Sequence, residues 1–271
     1  MFFSLLEFLT KIIKMSLYDE QCSKDFGFLE TRMKQFFAEI AVDCPYHLPH
    51  DAMFYQALFS PLSDRVMELF LASGYRRNGN CLYTMHCPDC SACIPIRLEP
   101  KKMQLNRNQR RVLKKNQDIE VEFAPMEASE ENIKLCEKFL RRRYHQKNND
   151  GRSYYEGFFL NRIITGMELR FRLKGKLVGT GIVDVGQNWM NAVYFYFDPD
   201  EAARSLGTFN ILNMVETCLK LDISYLYLGY YIEEVAAMNY KSRFNPHYLY
   251  INDCWQKIEK GDAISKGNRL S

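Results

Sequence analysis

The sequence has little net charge, no apolar run long enough to cross a bilayer, and neither an internal repeat nor a low-complexity linker. Its 36 basic and 33 acidic residues leave a formal charge of +3, which is too small to indicate a nucleic-acid-binding protein by itself. The composition is otherwise ordinary for a globular protein, with 47% apolar and 25% charged residues in a chain of 271. Any affinity for a polyanion must therefore come from how the positive charges are distributed.

The first 15 residues are rich in apolar side chains but lack the features of a membrane anchor. They contain no basic stretch at the start, and Glu7 and Lys11 interrupt the apolar residues. The apolar positions follow helical spacing, so the segment is either an amphipathic helix or an extension ahead of a true start at Met15. We therefore expect no transmembrane segment, and binding to a membrane surface is the less favoured interpretation.

Nine cysteines are present, but nothing marks the chain for secretion, so we expect a cytoplasmic protein. The segment 87–93 contains a double Cys-x-x-Cys, a spacing that lets thiolates converge on one metal ion. The predicted metal-binding residues are Cys44, Cys87, Cys90 and Cys93. They would hold zinc or, because all four ligands are thiolates, an iron–sulfur cluster. A packed cluster of reduced cysteines without metal is an equal alternative.

Positive charge is concentrated in the segment 101–115, which carries seven Lys and Arg residues and no acidic residue. Helical spacing places most of them on one face. The predicted RNA-binding residues are Arg107, Arg110, Arg111, Lys114 and Lys115. Like charges stacked in this way destabilise an isolated helix, and a polyanion such as RNA would offset the repulsion. A helix face that is only hydrated is the equal alternative.

The composition changes near residue 100. The residues before it are dense in Cys, Pro, Gly and His, whereas those after it alternate between strand and helix patterns. We therefore divide the chain into an N-terminal Cys-rich domain, 1–105, and a second domain, 106–271. The fold class that we predict is α+β, with a mostly antiparallel sheet in the second domain.

The second domain shows a definite order of elements. Three antiparallel strands are predicted at 169–173, 177–185 and 189–197. A helix at 206–220, a strand at 224–229 and a further helix that carries Met238 to Lys241 follow them. This order resembles the GNAT acyltransferase fold. In that fold the strands on either side of the long helix separate, and an acyl donor lies in the gap. We therefore expect a GNAT-like acyltransferase domain.

The start of the helix 206–220 is a candidate anion site. A strand that ends in Asp198-Pro199 leads into it, and a helix N-terminus directs free N–H groups and the positive end of the dipole at one point. The predicted substrate-binding residues here are Arg204, Ser205, Gly207 and Thr208. An acetyl-CoA loop has Gly or Ala where this chain has Phe209, which disfavours CoA and favours an aminoacyl-tRNA donor. An ordinary strand–loop–helix connection is the alternative.

Eight short motifs follow one another along residues 40 to 250. They are Cys44-Pro-Tyr46, Gly74-Tyr-Arg-Arg-Asn-Gly79, Cys90-Ser-Ala-Cys-Ile-Pro-Ile-Arg97, Asn108-Gln-Arg-Arg111, Val193-Tyr-Phe-Tyr-Phe-Asp-Pro199, Ser205-Leu-Gly-Thr208, Tyr227-Leu-Gly-Tyr-Tyr-Ile232 and Met238-Asn-Tyr-Lys241. Together they resemble the arginyl-tRNA–protein transferase family, most closely its bacterial branch, the aspartate/glutamate leucyltransferases. The resemblance implies transfer of Leu, or less favourably Arg, from aminoacyl-tRNA to the N-terminal Asp or Glu of a protein, which creates an N-degron signal for proteolysis.

The implied chemistry is aminolysis of an ester, which needs a neutral amine and a stabilised oxyanion. An N-terminal α-amine has a pKa near 8, so a modest base suffices, and most of the acceleration can come from proximity. The predicted catalytic residues around the strand gap are Asp184, Tyr194, Tyr230 and Lys241. Core packing is an equal alternative for both tyrosines. An aspartate within an apolar strand, such as Asp184, requires either a structural partner or a role at the site.

An acidic N-terminal residue must be recognised by a fixed cation, and Arg fits a carboxylate with two hydrogen bonds. Arg76 and Arg77, in the turn-like segment 74–79, are the predicted pair, with Arg97 as a third candidate and Lys241 as another anchor. Solvated arginines in a surface turn are the alternative.

Three classes of function remain open on these grounds. The first is the aminoacyl-tRNA–protein transferase, with Leu-tRNA or Arg-tRNA and proteins bearing N-terminal Asp or Glu as partners, acting as a monomer. The second is a CoA-dependent N-acetyltransferase of the GNAT class. The third is a non-catalytic, metal-containing RNA-binding module, which the long regular C-terminal half disfavours.

Overall fold

The computed structural model describes residues 16–144 and 150–259, so the expectations for the first 15 residues lie outside it. The N-terminal part builds a small antiparallel sheet with two helices. Its elements are α1 (Leu17–Met33), β1 (Ala38–Asp43), β2 (Asp51–Leu58), α2 (Asp64–Ala72), β3 (Arg76–Asn78) and β4 (Cys81–Met85). The strands lie in the order β1-β2-β4-β3. The segment that carries Arg76 and Arg77 is therefore a strand at one edge of this sheet.

The remaining residues build a larger sheet with helices on both faces. Its elements are β5 (Ile94–Leu98), α3 (Arg107–Lys115), β6 (Ile119–Pro125), α4 (Glu130–Arg143), α5 (Gly151–Tyr154), β7 (Gly166–Leu173), β8 (Lys176–Val185), β9 (Trp189–Phe197), α6 (Leu206–Lys220), β10 (Tyr225–Tyr231), α7 (Ala236–Asn239), β11 (His247–Ile251) and β12 (Cys254–Ile258). The strand order is β12-β11-β5-β10-β9-β8-β7-β6. All neighbours are antiparallel except β9 and β10. A mixed α+β fold with mostly antiparallel sheets is therefore confirmed.

Most of the predicted elements of the second half are present, because their periodicity is strong. The strands β7, β8, β9 and β10 and the helix α6 fall where the sequence placed them. Two helices differ from the prediction. The basic helix begins at Arg107, not at Lys101, because Asn106 and Gln109 form a capping box there. The last helix is only one turn, α7, which continues as a 3₁₀ turn over Tyr240–Arg243.

The strands β9 and β10 separate after a short parallel pairing. Only three residue pairs join them, the last being Tyr227 with Asn191, although β9 continues to Phe197 and β10 to Tyr231. The strand β10 is also irregular, since its pairing with β5 shifts register near Gly229, which has a φ of +80°. A non-glycine residue would be strained there. These features open a gap in the middle of the sheet, which we call the β9–β10 gap.

The two faces of the large sheet have separate apolar cores. One core lies against α3 and α6 and includes Leu206, Leu212 and Phe244, whereas the other lies against α4 and includes Phe139 and Tyr196. The N-terminal part packs onto the large sheet through a third cluster, in which Trp255 donates from Nε1 to the Ala72 carbonyl at 2.7 Å.

The strand β5 belongs by sequence to the predicted domain 1–105, yet it lies between β10 and β11 in the large sheet. The two predicted domains, 1–105 and 106–271, therefore share the large sheet, because a strand from the first lies between strands of the second. None of the described helices is both long enough and apolar enough to cross a membrane.

Candidate active site

Asp184, on β8, forms a buried ion pair with Arg77 on β3. Arg77 donates from Nε and Nη2 to the two Asp184 carboxylate oxygens, each at 2.8 Å, and both side chains are fully buried. Arg77 Nη1 also donates to the carbonyls of Gly79 and Phe159, and Asn191 donates to Asp184 at 3.0 Å. The structure thus supplies the structural partner that Asp184 required. The predicted catalytic role of Asp184 and the predicted substrate contact of Arg77 are corrected, because each side chain is saturated inside the protein.

Arg76 is also buried, but it has no carboxylate partner among the described residues. Its Nη1 donates to the Tyr75 carbonyl at 2.7 Å and its Nη2 to the Gly229 carbonyl at 2.9 Å, whereas Nε has no partner. The rings of Tyr227 and Tyr230 lie 5.9 and 5.5 Å from the guanidinium carbon. Burial lowers the pKa of this guanidinium. A buried cation without an anion is costly, so Arg76 can receive an anionic group of a substrate.

Lys241 approaches the same part of β10 from the 3₁₀ turn. Its Nζ donates to the Tyr230 carbonyl at 2.8 Å and lies 3.6 Å from the Met238 sulfur. The side chain is buried and forms no ion pair with a described residue. Burial, followed by the nearby charge of Arg76, lowers the Lys241 pKa to about 7. Its amine therefore titrates near neutral pH, as a general base should.

Tyr230, on β10, neighbours both cations, because its ring lies 5.5 Å from the Arg76 guanidinium carbon and its carbonyl accepts from Lys241. It is buried, and its hydroxyl has no hydrogen bond of ordinary length to a described residue. Burial raises the pKa of this phenol, and the nearby Thr84 hydroxyl acts in the opposite direction. The ring of Tyr83 meets it edge-on, with centroids 6.3 Å apart. Tyr230 is thus a neutral hydroxyl that retains a free donor beside the gap.

Tyr194 lies on β9, on the other side of the gap. Its ring packs 5.0 Å from that of Phe159 and 6.0 Å from that of Tyr154, within the core beneath α4. Burial, then Tyr154 and Tyr144, raise its pKa, so it is a neutral hydroxyl held by tyrosine neighbours. Tyr194 and Tyr230 belong to different apolar clusters. The structure does not bring the two predicted tyrosines together.

Arg204 is held away from the start of α6 by acidic partners. Its Nη1 and Nη2 donate to the Asp118 carboxylate at 2.9 and 3.0 Å, and its Nε donates to Glu201 at 2.8 Å. The prediction that Arg204 binds substrate is therefore corrected, since its guanidinium fixes the loop.

The backbone at the start of α6 remains open to an anion. Ser205 precedes the helix in the left-handed conformation, with a φ of +57°, and its side chain makes no capping hydrogen bond. A Cβ atom on Gly207 would approach only the Tyr240 hydroxyl, at 3.9 Å, and Thr208 is half-buried. The first N–H groups of α6 therefore lack a side-chain cap, and the nearby Tyr240 has a pKa raised to about 12 by burial.

Phe209 does not fill this space. Its ring is buried in the core, 5.5 Å from the ring of Phe171. The argument that a large side chain here excludes CoA is therefore not supported by the structure, because the side chain points away from the free N–H groups.

The basic helix α3 flanks the gap. Arg107, Arg110, Arg111 and Lys114 are exposed and form no ion pair with a described residue, whereas Lys115 donates to the Ala203 carbonyl at 2.5 Å. At its start, the side chains of Asn106 and Gln109 both donate to the Arg243 carbonyl at 3.2 Å. At its end, Asn116 donates to the Arg204 carbonyl at 3.0 Å. The helix therefore joins the turn that carries Lys241 to the loop that begins α6.

The four cysteines predicted to bind metal do not converge. Among the residues that the structure describes, no three His, Cys, Asp or Glu side chains are arranged to hold a metal ion. Cys44, Cys87 and Cys93 pack at the edge of an apolar cluster around Tyr230, and the Cys87 sulfur accepts a hydrogen bond from the Met53 N–H at 3.4 Å. The described residues therefore show no ligand set for the expected zinc or iron–sulfur site, which stays a prediction. Cys44, Cys87 and Cys93 share one apolar cluster, although they come from separate segments.

A cavity of about 1090 Å³ lies between α1, the small sheet and the last strands. Its wall carries five carboxylates and, among the described residues, no Lys or Arg side chain. The carboxylates are those of Glu30, Asp89, Glu233, Glu234 and Asp253. Thr84 and Cys93, which also line it, neighbour Tyr230 and Lys241 respectively. The cavity therefore adjoins the apolar cluster around Tyr230, to which Cys93 belongs, and Cys90 also lines it.

Sequence reasoning missed Gly229 and Tyr240. Gly229 supplies the carbonyl that holds Arg76, and its missing side chain leaves space near Lys241. An isolated Gly inside a strand pattern is a signal of a bulge or a close approach and could have identified Gly229.

Arg97, the third candidate for substrate recognition, is paired with Asp19 at 2.8 Å and stacked near Trp255, so it is a structural residue.

Two family models match the chain. The N-terminal model of arginine-tRNA-protein transferase matches residues 42–111, and the C-terminal model matches residues 131–251. An aspartate/glutamate leucyltransferase from Aeromonas hydrophila is 36% identical over 194 residues, covering 71% of this chain and 81% of the relative. One from Marinobacter nauticus is 33% identical over 227 residues, covering 82% and 95%.

A solved structure of L-PGS from Bacillus licheniformis covers 78% of this chain and 69% of its own, at 9% identity and a TM-score of 0.42, values too low to support an argument. The family models and the relatives cover most of the chain and confirm the resemblance seen in the motifs. The chain therefore belongs to the arginine-tRNA-protein transferase family, and it is an aminoacyltransferase.

Proposed function

We propose that this protein transfers leucine from leucyl-tRNA to the N-terminal Asp or Glu of acceptor proteins, at the β9–β10 gap of a GNAT-like domain. The names of the relatives favour Leu over Arg. The observation that carries the acceptor assignment is the pair of buried cations, Arg76 and Lys241, which meet neighbouring carbonyls of β10 and have no described carboxylate partner. An acidic acceptor side chain supplies the missing anion.

The donor approaches from the side of α3 and α6. The four unpaired cations of α3 suit the phosphates of tRNA, and both ends of this helix contact segments at the edge of the gap. The free N–H groups at the start of α6, with Ser205, Gly207 and Thr208, suit a phosphate or the ester oxygen at the tRNA end. Gly207 lies near Tyr240, and Tyr240 precedes Lys241 in the chain. The turn that carries Lys241 therefore also borders the start of α6 through Tyr240.

The acceptor approaches from the opposite side. We assign its polypeptide to the acidic cavity, whose Thr84 and Cys93 lie at the cluster around Tyr230. Both predicted domains then contribute to acceptor binding, since Arg76 and part of the cavity wall come from residues 1–105, whereas Lys241 and the rest of the wall come from residues 106–271.

Two groups carry the chemistry in this arrangement. Lys241, in its unprotonated form, is the base that accepts the proton of the amine. Tyr230 is a neutral hydroxyl without a committed acceptor, so it can donate to the developing oxyanion. Tyr194 closes the other side of the gap as part of an aromatic wall. Peptide-bond formation from an ester is downhill, so holding amine and ester together accounts for most of the acceleration.

The N-degron pathway, a cytoplasmic location and action as a monomer complete the proposal. Charged tRNA is present in the cytoplasm, and all nine cysteines are free thiols, as that compartment maintains them.

The test is a transfer assay with matched donors and acceptors. The protein is mixed with Leu-tRNA, Arg-tRNA or acetyl-CoA and with peptides that differ only in starting with Asp, Glu, Asn or Ala. Mass spectrometry then reports the added group. We expect addition of Leu to the Asp and Glu peptides. Acetylation, or equal transfer to all four peptides, would contradict the proposal.

A further inference from the structure

The space around the Lys241 amine is arranged for an anion that the protein does not supply. Its Nζ has one strong acceptor, the Tyr230 carbonyl, and a weak one, the Met238 sulfur. A Cβ atom on Gly229 would stand at an ordinary contact distance of 3.7 Å from Nζ, so the missing side chain leaves at least methyl-sized room on this open flank. Arg76 binds the adjacent Gly229 carbonyl and has an unpaired Nε. A carboxylate placed on the open flank would meet both cations.

The charged state of Lys241 depends on whether this anion is present. The groups that act on it are Arg76 from β3, which disfavours its charge, and Cys93 from the segment before β5, which favours it. With burial, they lower its pKa to about 7, below the roughly 8 of an N-terminal α-amine. A carboxylate within about 4 Å acts in the opposite direction and favours the ammonium form. Proton transfer from the acceptor α-ammonium to Lys241 is therefore more favourable with the carboxylate bound than without it.

We infer that the acidic side chain of the acceptor completes the base of the reaction: bound between Arg76 and Lys241, its carboxylate enables Lys241 to take the proton of the acceptor's own α-ammonium. This inference rests on the proposed function. It makes the preference for Asp and Glu a matter of activation as well as binding, because an acceptor with a neutral first residue keeps its amine protonated.

The steps balance without a further reactant. One N–H bond of the α-ammonium breaks, its electron pair remains on nitrogen, and the proton bonds to Lys241 Nζ. The nitrogen pair then attacks the carbonyl carbon of the aminoacyl ester and forms the C–N bond. The C–O bond to the tRNA ribose breaks, the nitrogen loses a second proton, and the ribose oxygen gains one. Departure of the product with its carboxylate lets Lys241 release its proton to solvent.

Chemical rescue separates activation from binding. The full chain is assayed with Leu-tRNA and an Ala-started peptide, with sodium acetate replacing sodium chloride at constant ionic strength. We expect acetate to raise transfer to the Ala peptide by roughly tenfold, because only about a tenth of an amine with a pKa near 8 is neutral at pH 7. Acetate should slow transfer to the Asp peptide, since it competes for the same place. Absence of rescue would overturn the inference.

Two variants supply a second measurement. Lys241→Arg keeps the charge but cannot accept a proton, so KM for the Asp peptide should change little while kcat falls roughly tenfold at neutral pH and recovers above the amine pKa of about 8. Lys241→Met should lose acetate rescue altogether. Binding of tRNA confirms that both variants fold. A Lys241→Arg enzyme with the wild-type pH profile would overturn the inference. Failure of the wild type to modify the Asp peptide would instead refute the proposed function.

Discussion

Arg76 and Arg77 are neighbours on one short strand, yet their side chains enter opposite environments. Arg77 meets a carboxylate, that of Asp184, with two hydrogen bonds of 2.8 Å, and its remaining donors bind carbonyls. Arg76 meets a second cation, Lys241, across two carbonyls of β10 and finds no described carboxylate. The charge of Arg77 is neutralised by Asp184, whereas Arg76 and Lys241 have no described counter-charge and would gain one from a bound carboxylate. Two arginines that are equally buried can therefore differ in function.

The largest expected effect is the loss of stability when the Arg77–Asp184 ion pair is broken. Arg77→Met should destabilise the protein by roughly 3–5 kcal/mol, because it leaves the Asp184 charge buried and unpaired. The double variant Arg77→Met/Asp184→Leu should recover much of that loss. The free energy of unfolding from urea titration measures both. A single variant as stable as the wild type would contradict the structural role.

Arg76 should behave in the opposite way. Arg76→Met removes an uncompensated buried cation, so the free energy of unfolding should be unchanged or higher. Transfer to Asp and Glu peptides should fall roughly tenfold or more, because a charge-assisted contact of about 1.5–3 kcal/mol is lost. Arg76→Lys is the matched control, since it keeps charge but loses the fork. The kcat/KM ratio of Asp to Asn peptides is the measurement. Destabilisation equal to that of Arg77→Met would erase the distinction between the two arginines.

The donor side should be independent of both arginines. Replacing Arg107, Arg111 and Lys114 with Ala should weaken tRNA binding and flatten its salt dependence by about 0.7–0.9 of a slope unit per lost phosphate contact. Filter binding across a salt series measures this slope. The control removes three exposed cations from the other side, as Lys24→Ala/Arg32→Ala/Lys34→Ala. If both triple variants lose affinity equally, α3 is not the RNA surface.

The smallest expected effect concerns the acidic cavity next to the ligand-dependent pair. Glu30→Gln/Asp253→Asn should lower kcat/KM by about twofold to fivefold for an Asp peptide with Lys in the following positions, a loss of at most about 1 kcal/mol for exposed charges. The same peptide with Ser in those positions should be unaffected. Equal effects on both peptides would place the acceptor chain elsewhere.

The sequence was sufficient where the chemistry is local. The helix α6 and the strands β7 to β10 follow from apolar periodicity. It was insufficient where partners come from distant segments. Alternation along a strand sends Arg76 and Arg77 to opposite faces, but nothing local tells which of them meets an aspartate 107 positions away. The cysteines show the same limit, because spacing permits convergence and packing decides it.

The hydrogen bonds at the two ends of α3 give this helix a mechanical role. One end is hydrogen-bonded to the carbonyl of Arg243 and the other to those of Ala203 and Arg204. The helix therefore fixes the distance between the turn that follows β10 and the loop that follows β9. Its unpaired cations repel one another along the helix, and this repulsion lowers the stability of α3. If α3 is the RNA-binding surface that we propose, the phosphates of bound tRNA reduce this repulsion and stabilise the helix. The separation of the two segments is then most fixed with the donor bound, which is when amine and ester must be aligned.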